Sequence, residues 1–313
     1  MNEGDSIFVA GHQGLVGSAV VRELQRRGFR NIVLRGREQL DLRQQAAVDE
    51  FFTETRPQYV VLAAAKVGGI GANDASPADF VRDNLQIQTN VIDAAWRNGA
   101  YKLCFLGSSC VYPRLAPQPI REDALLSGPL EPTNASYAVA KIAGVTMCRA
   151  YRRQYGFNAI TLMPSNLYGP GDNFDAGQSH VIPALMRRCH EAKVRGDAAV
   201  TVWGSGSPRR EFLHVDDLAC AVVHLMQRYE AESPINVGTG VDVTIRELAE
   251  LICEVVGFTG KLEFDASKPD GTPRKLLDIA RVGALGWRPR IALRDGLRAT
   301  YQWFVANAVG APN

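Results

Sequence analysis

The stretch Gly11-His12-Gln13-Gly14-Leu15-Val16-Gly17 decides the fold class of this chain. It follows the apolar run Ser6–Ala10, which predicts a buried strand, and leads into an amphipathic segment that predicts a helix up to Gly28. Glycines at three-residue spacing permit a tight turn and a close backbone approach to an anion at the helix N-terminus. A glycine turn that binds nothing is the alternative. The flanking strand and helix favour a dinucleotide site in which these seven residues hold the diphosphate.

The pattern around this turn predicts an α/β fold. Short apolar runs alternate with helical segments, which is typical of a doubly wound parallel sheet of Rossmann type, buried on both faces. Beyond about Pro164 the pattern becomes less regular, which indicates a smaller C-terminal substrate lobe. We expect residues 1–165 and about 205–240 to form the dinucleotide-binding domain, and about 166–204 and 241–313 to form the substrate lobe. The remaining predicted strands are Asn31–Leu34, Tyr59–Ala63, Lys102–Leu106 and Ala159–Met163, and the remaining helices are Ala78–Asn98, Ala135–Tyr155, Ile182–Arg195, Val215–Arg228, Ile245–Val256 and Leu293–Ala306.

Two arginines, Arg35 and Arg37, follow the second predicted strand. Dinucleotide-binding enzymes that prefer NAD carry an acidic residue there for the ribose 2′-hydroxyl, whereas guanidinium groups suit the 2′-phosphate of NADP. We therefore expect NADP(H) as the cofactor. A solvated basic loop is the alternative reading of the same residues.

A tyrosine four residues before a lysine, Tyr137 and Lys141, occurs within the predicted helix Ala135–Tyr155. This spacing places both side chains on one helix face, where the ammonium favours the phenolate. We therefore expect the pKa of Tyr137 to fall toward the working range of a proton donor. The fourth strand leads into Ser108 and Ser109, either of which can hydrogen-bond the substrate oxygen that Tyr137 protonates. The glycine turn and the serine, tyrosine and lysine resemble the short-chain dehydrogenase/reductase superfamily, whose motif favours Ser108.

Cys110, which follows Ser109 directly, indicates the type of reaction. Many sugar-nucleotide dehydratases of this superfamily have an acidic pair where this chain has Ser109 and Cys110. A thiol acts as a base only where nearby positive charge or a helix N-terminus favours the thiolate. His180 lies at the start of a predicted helix in the substrate lobe, and a Cys base facing a His acid across a sugar ring can epimerise a carbon. A buried structural cysteine and an ordinary hydrogen-bonded histidine are the alternatives.

Composition agrees with an enzyme that acts on a small ligand. The 313 residues carry a net charge of +2 without a basic run, which gives no support to nucleic-acid binding. No apolar run approaches the length of a membrane span, and the first ten residues do not resemble a signal peptide. The six cysteines are scattered without a CxxC pair, so we expect reduced thiols, a cytoplasmic location and no metal site.

Longer blocks resemble the GDP-L-fucose synthase family from about Ile7 to Phe304. They are far more specific than the glycine turn, and they comprise Gly107–Pro113, Leu130–Asn134, Tyr137 with Lys141–Gly144, Asn166–Pro170, Ser179–Leu185, Val202–Gly206, Arg210–Asp217 and Ser267–Lys275.

This resemblance implies a bifunctional enzyme that acts on GDP-4-keto-6-deoxy-D-mannose. The C4 ketone acidifies the hydrogens on C3 and C5, so epimerisation at both carbons precedes reduction at C4. By motif, Cys110 is the base and His180 the acid of epimerisation. Tyr137 donates a proton to O4 as hydride arrives from NADPH, Lys141 tunes Tyr137 and holds the nicotinamide ribose, and Ser108 steadies O4.

The resemblance also implies the remaining contacts. Pro164, Ser165, Asn166 and Leu167 line the nicotinamide together with His180. The GDP-sugar is held by Arg188, Arg210, Trp203 and Asp270, and a homodimer forms through the Tyr137 helix and the Ala78–Asn98 helix. One residue departs from the pattern: Gln13 stands where the family often has an arginine for the 2′-phosphate, which leaves more of that task to Arg35 and Arg37.

Three other functions fit part of the same sequence. A sister enzyme acting on a related keto-deoxy GDP-sugar, of colitose or heptose type, is the leading alternative. A nucleotide-sugar 4-epimerase with permanently bound NAD is disfavoured by the arginines after the second strand. A dinucleotide-sensing protein without catalysis is disfavoured by the intact serine, tyrosine and lysine, because a sensor has no need of a proton donor.

Overall fold

The computed structural model describes residues 1–175, 179–268 and 270–307. The last six residues of the predicted substrate lobe, 308–313, therefore lie outside the described residues, as do 176–178 and 269. The strands are β1 Ile7–Ala10, β2 Ile32–Val33, β3 Tyr59–Leu62, β4 Lys102–Leu106, β5 Ala159–Pro164, β6 Asn166–Tyr168, β7 Ala199–Trp203, β8 Arg209–His214, β9 Ile235–Val237, β10 Asp242–Thr244, β11 Lys261–Asp265 and β12 Arg274–Lys275. The helices are α1 Leu15–Arg26, α2 Gln45–Thr55, α3 Ile70–Ala75, α4 Pro77–Arg97, α5 Ala135–Tyr155, α6 Val181–Arg195, α7 Val215–Arg228, α8 Ile245–Val256, α9 Ala280–Ala284 and α10 Leu293–Asn307.

Six parallel strands form the central sheet in the order β2-β1-β3-β4-β5-β9. The strand order reverses between β1 and β3, and crevices at such reversals bind ligands outside the carboxyl ends of the strands. The turns and loops that follow β1, β3, β4 and β5 all lie at this edge. The predicted doubly wound parallel sheet is confirmed.

Apolar side chains cover both faces of this sheet. One face packs against α1 and α7, and the other packs against α2, α4 and α5. The central strands are almost fully buried, as in Ile7, Leu103 and Ile160 at 0% exposure, which explains their continuous apolar sequences.

The C-terminal lobe is built from short strands and its own apolar core. In it β8 pairs with β6 and β12 in parallel and with β10 antiparallel, while β7 pairs with β11. The core of this lobe lies among α6, α8 and α10. Within the segment 205–240, β8 belongs to this smaller sheet, whereas α7 packs on the central sheet and β9 joins it. The division of the chain into two domains stays a prediction.

Local signals account for several element ends. Helix α5 ends at Tyr155 and is capped by Gly156, whose φ of 70° is left-handed, a conformation that glycine adopts without strain. Helix α8 begins with a capping box in which Thr244 and Glu247 bond each other's backbone N–H groups. Among the described residues, no helix is both long enough and apolar enough to span a bilayer.

Candidate active site

A cleft of about 1350 Å³ runs along the carboxyl edge of the central sheet and is also lined by residues of α6, β7 and β8. Pockets for a single small ligand usually measure about 300 to 1000 Å³, so this cleft has room for more than one ligand. It brings together every residue that the sequence suggested for the site. These are Gly11, His12, Gln13, Gly14, Leu15, Val16, Gly17, Arg35, Arg37, Ser108, Cys110, Tyr137, Lys141, Pro164, Ser165, Asn166, Leu167, His180, Arg188, Trp203, Arg210 and Asp270.

The glycine turn has the close packing that a diphosphate site needs. Gly11 has a φ of +85°, and a Cβ placed on Gly17 would lie 2.1 Å from the Gly11 carbonyl oxygen. Only glycine fits at these two positions. The turn then opens directly into α1, and Gly14 to Gly17 line the cleft at the N-terminus of that helix, where the first backbone N–H groups have no partner within the helix.

The residues present also fit the rest of a dinucleotide. His12 Nδ1 and Ser165 Oγ are buried and have no hydrogen-bond partner among the described residues. Because buried polar atoms are normally paired, both are available to a ligand. One lies at the glycine turn after β1, and the other follows β5.

Arg35 and Arg37 lie at the rim of the cleft, on the turn after β2. The Arg35 guanidinium donates to the Leu34 carbonyl at 2.8 Å and stacks over the Phe51 ring at 5.6 Å. The Gln13 side chain lies against the same turn, since a Cβ on Gly36 would be 3.3 Å from its amide. Gln13 therefore presents an uncharged amide beside the arginine pair.

Tyr137 and Lys141 share one face of α5, as their spacing predicts, but their chemistry differs from the prediction. Lys141 is buried, and its Nζ donates to the Leu106 carbonyl at 2.8 Å and lies 5.9 Å from the Tyr137 ring centroid. Burial lowers the pKa of Lys141 to about 8. Burial likewise raises the pKa of Tyr137, with a further increase from Cys110 and an opposing hydrogen bond with Ser108. The expected fall in the Tyr137 pKa is therefore wrong for the protein alone, because desolvation dominates.

Helix α5 is held against the sheet at the level of these residues. Gln88 donates to the Ala140 carbonyl at 2.6 Å. A Cβ on Gly144 would lie 2.4 Å from the Phe105 ring, so the glycine allows the helix to approach β4 closely. This contact sets the height of Tyr137 and Lys141 above the strand ends.

Cys110 lies in a short 3₁₀ turn, Ser109–Val111, that follows β4. Ser108 caps the turn, and its Oγ accepts from the Cys110 N–H at 3.2 Å. Ser109 also lines the cleft and is only 3% exposed, and the choice of Ser108 as the substrate-facing serine stays a prediction. The Cys110 sulfur receives two side-chain donors, Asn134 Nδ2 at 3.4 Å and Lys275 Nζ at 3.6 Å.

His180 is the residue before the first turn of α6. Its ring is accessible from the cleft, and desolvation by the surrounding walls lowers its pKa. A lowered pKa makes the protonated ring a stronger acid. Cys110 and His180 thus line one cleft from different elements, the turn after β4 and the start of α6.

The four residues predicted to hold the GDP-sugar line the cleft, and they differ in exposure and in hydrogen bonding. Arg188 donates to the Thr201 carbonyl at 2.8 Å, and Arg210 donates to the Arg209 carbonyl at 2.9 Å. Trp203 is 64% exposed, which leaves a large apolar surface open to a ligand. Asp270 already accepts from the Ser205 N–H and hydroxyl, both at 2.8 Å.

Sequence reasoning missed three cleft residues. Asn134 and Lys275 contact Cys110, and Asp172 is a buried carboxyl whose pKa burial raises to about 7. Lys275 lies 165 residues from Cys110 along the chain, so no local spacing could pair them. Asn134 and Lys275 do fall in the blocks Leu130–Asn134 and Ser267–Lys275, and this was the available signal.

Known proteins resemble this chain over nearly its full length. The model of the NAD dependent epimerase/dehydratase family matches residues 7–238. GDP-L-fucose synthase 1 of Arabidopsis thaliana is 62% identical over 301 residues, covering 96% of this chain and 93% of that protein. GDP-L-fucose synthase of Escherichia coli (strain K12) is 56% identical over 310 residues, covering 96% of this chain and 97% of that protein.

Solved structures also resemble this chain over nearly its full length. A GDP-6-OMe-4-keto-L-xylo-heptose reductase from C. jejuni superposes with a TM-score of 0.94 at 40% identity, covering 98% of this chain and 99% of that one. A GDP-L-fucose synthetase from Naegleria fowleri bound to NADP superposes with a TM-score of 0.91 at 30% identity, covering 100% of this chain and 98% of that one. The fold, the glycine turn and these identities together show that the chain belongs to the NAD dependent epimerase/dehydratase family and, within it, to the GDP-L-fucose synthases.

Proposed function

We propose that this protein converts GDP-4-keto-6-deoxy-D-mannose to GDP-L-fucose by epimerisation at C3 and C5 followed by NADPH-dependent reduction at C4. The observation that carries the proposal is that one cleft contains both sets of groups. Ser108, Tyr137 and Lys141 suit reduction, and Cys110 and His180 suit epimerisation. A single site suffices because both reactions centre on the same ketone.

Epimerisation requires a base on one face of the sugar and an acid on the other. The Cys110 thiolate removes a proton from the carbon next to the ketone, and the C–H electron pair moves to O4 as an enolate. Ser108 and Tyr137 can hydrogen-bond that oxygen from the same wall as Cys110. His180 then returns a proton to the carbon from the opposite lobe, which inverts the centre.

Reduction uses the tyrosine on α5. Tyr137 keeps its proton at working pH because burial raises its pKa, so it can donate that proton to O4. The bound cofactor supplies the hydride. Lys141 lies on the same helix face and stabilises the phenolate that Tyr137 becomes.

The cofactor is NADP(H). The glycine turn would hold its diphosphate, Arg35 and Arg37 its 2′-phosphate, and Lys141 its nicotinamide ribose. Pro164 to Leu167 and His180 would line the nicotinamide end, where the unpaired hydroxyl of Ser165 offers a hydrogen bond. The similar structure solved with NADP bound supports the choice of cofactor.

The GDP end of the substrate would lie in the second lobe. Arg188 and Arg210 would bind the diphosphate, since guanidinium groups can contact two oxygens at once. Trp203 offers an exposed apolar face. Asp270, which already accepts from Ser205, has remaining lone pairs for a ribose or base donor.

A related keto-deoxy GDP-sugar is the alternative substrate. The superposition with a GDP-heptose reductase supports this reading, and the higher identity to GDP-L-fucose synthases favours the fucose pathway. Identification of the product by mass and NMR, after incubation with GDP-4-keto-6-deoxy-D-mannose and NADPH, distinguishes them.

We also propose a cytoplasmic homodimer. The location is supported by the six cysteines, all among the described residues, none of which forms a disulfide. The dimer is supported by exposed apolar side chains on α5, where Val139 is 49% and Tyr155 44% exposed.

Two substitutions test the division of labour. Cys110→Ser should reduce solvent-deuterium incorporation at C3 and C5 by about a hundredfold or more, while reduction of a pre-epimerised intermediate continues. Tyr137→Phe should slow reduction by a similar factor, while exchange continues at a reduced rate because Ser108 still hydrogen-bonds the enolate oxygen. Mass spectrometry follows the exchange, and NADPH absorbance follows the reduction.

Cys220→Ser is the matched control, since Cys220 lies on α7 and contacts Arg27 away from the cleft. It should leave both reactions unchanged. Normal exchange in Cys110→Ser would contradict the proposed base, and normal reduction in Tyr137→Phe would contradict the proposed acid.

A further inference from the structure

The Cys110 sulfur faces a cation from a distant part of the chain. Lys275 Nζ lies 3.6 Å from it, and the neutral amide of Asn134 lies 3.4 Å from it. A cation at this distance favours a thiolate over a thiol, whereas an amide donor alone does so less strongly. Cys110 therefore has the positive neighbour that a thiol base requires.

The backbone on both sides of Lys275 is fixed. Gln118 accepts from the Leu276 N–H at 2.9 Å and donates to the Arg274 carbonyl at 3.1 Å, so one side chain bonds both neighbours of Lys275. The strand β12 also pairs with β8, where Lys275 lies opposite Arg210. The Lys275 ammonium therefore contacts the sulfur from a backbone segment that hydrogen bonds hold in place on both sides.

The other groups around the sulfur do not neutralise this cation. Arg210 is near enough to interact electrostatically with Cys110, and Tyr137 contributes a neutral phenol. Glu131 also interacts electrostatically with Arg210. The Glu131 carboxylate, however, lies 3.2 Å from the Arg114 guanidinium and accepts a hydrogen bond from the Thr272 hydroxyl. The Glu131 charge is therefore already compensated.

We propose that Lys275 is a further catalytic residue of epimerisation, whose ammonium maintains Cys110 as the thiolate that removes the sugar proton. This inference rests on the proposed role of Cys110 as the base. In the step, the thiolate takes the proton from carbon and becomes a thiol, and the electron pair passes to O4. The ammonium keeps its charge throughout. The thiol then loses its proton to water and His180 takes up a proton, which restores the starting state of both groups. Gln118 is a positioning residue, because it acts only through Lys275.

The test measures the thiolate directly in the whole protein. Alkylation of Cys110 by iodoacetamide, quantified on its peptide by mass spectrometry, reports the thiolate fraction. At about pH 7, Lys275→Met should slow this alkylation about tenfold or more. Deuterium exchange at C3 and C5 should slow by a similar factor and recover as the pH rises. Reduction of a pre-epimerised intermediate should continue at the rate of the unmodified protein.

Matched variants separate charge from shape. Lys275→Arg keeps the cation and should retain most of the alkylation rate. Lys261→Met removes an exposed lysine of β11, outside the cleft, and should change nothing. Gln118→Met removes both bonds beside Lys275 while keeping the ammonium, and should slow alkylation to a smaller extent. If Lys275→Met does not fold, Gln118→Met and Lys275→Arg decide the question by the same assay.

An unchanged alkylation rate in folded Lys275→Met would overturn the inference. A higher KM for the sugar nucleotide with unchanged alkylation would overturn it too, and would assign Lys275 to the substrate diphosphate. Failure of the proposed function has a different signature, since Cys110→Ser would then exchange deuterium normally while Lys275→Met still slowed alkylation.

Discussion

At the scale of single residues, burial determines the acid–base chemistry of this cleft. Tyr137 and Lys141 lie where the (i, i+4) spacing places them, yet desolvation raises the pKa of the phenol and lowers that of the ammonium. Both shifts favour the uncharged forms. Tyr137 therefore keeps its proton and can donate it, and Lys141 is the group of the pair that titrates near neutral pH.

The first prediction concerns the pH dependence of reduction. Because the pKa of Lys141 is lowered to about 8, its ammonium is present below that pH and lost above it. The kcat/KM for NADPH oxidation with a pre-epimerised substrate, which reports the free enzyme, should therefore fall as the pH rises through about 8. Lys141→Arg, which stays charged, should remove this decline in whatever activity it retains. A flat wild-type profile across this range would exclude Lys141 as the titrating group.

At the scale of elements, one buried carboxylate joins three segments of the second lobe and the sheet. Glu211 on β8 is 0% exposed. It accepts from the Thr239 and Gly240 N–H groups after β9, and from the Leu277 N–H after β12 at 2.9 Å. These bonds tie the strand that carries Lys275 to β8 and to the end of the central sheet.

Glu211→Gln should therefore destabilise the fold. The amide keeps one acceptor oxygen but turns an NH₂ group toward a backbone N–H, which leaves a buried donor unpaired at a cost of about 1 to 3 kcal/mol. Thermal unfolding should show a Tm several degrees lower. Glu250→Gln, at an exposed position of α8, is the control and should leave the Tm unchanged. Equal Tm values for the two variants would contradict this role of Glu211.

At the scale of the whole molecule, the face formed by α4 and α5 lies on the opposite side of the central sheet from α1 and α7. The proposed homodimer uses that face. Light scattering should give twice the chain mass of 34.2 kDa. Val139→Arg should produce the monomer, because it places a charge among the apolar side chains of the interface. Val194→Arg, at a valine 72% exposed on α6, should leave the dimer intact. A wild-type mass of one chain would exclude the dimer.

The sequence by itself determined whatever depends on neighbours along the chain. The glycine turn, the bounds of α5, α7 and α8, and the pairing of Tyr137 with Lys141 follow from spacing within one or two elements. The length of the edge strand β2 and the sheet to which β8 belongs were less predictable. β2 is only Ile32–Val33, because an edge strand has one pairing partner, and β8 joins the smaller sheet rather than the central one.

The tertiary structure alone decided the charges and the distant contacts. The direction of the Tyr137 pKa depends on everything that removes water from the phenol, which no local pattern reports. The approach of Lys275 to Cys110 spans 165 residues, and the bonds of Gln118 and Glu211 that place it join segments far apart in the chain. Periodicity records which residues face the core, but contacts between loops at one sheet edge arise only when the strands are assembled.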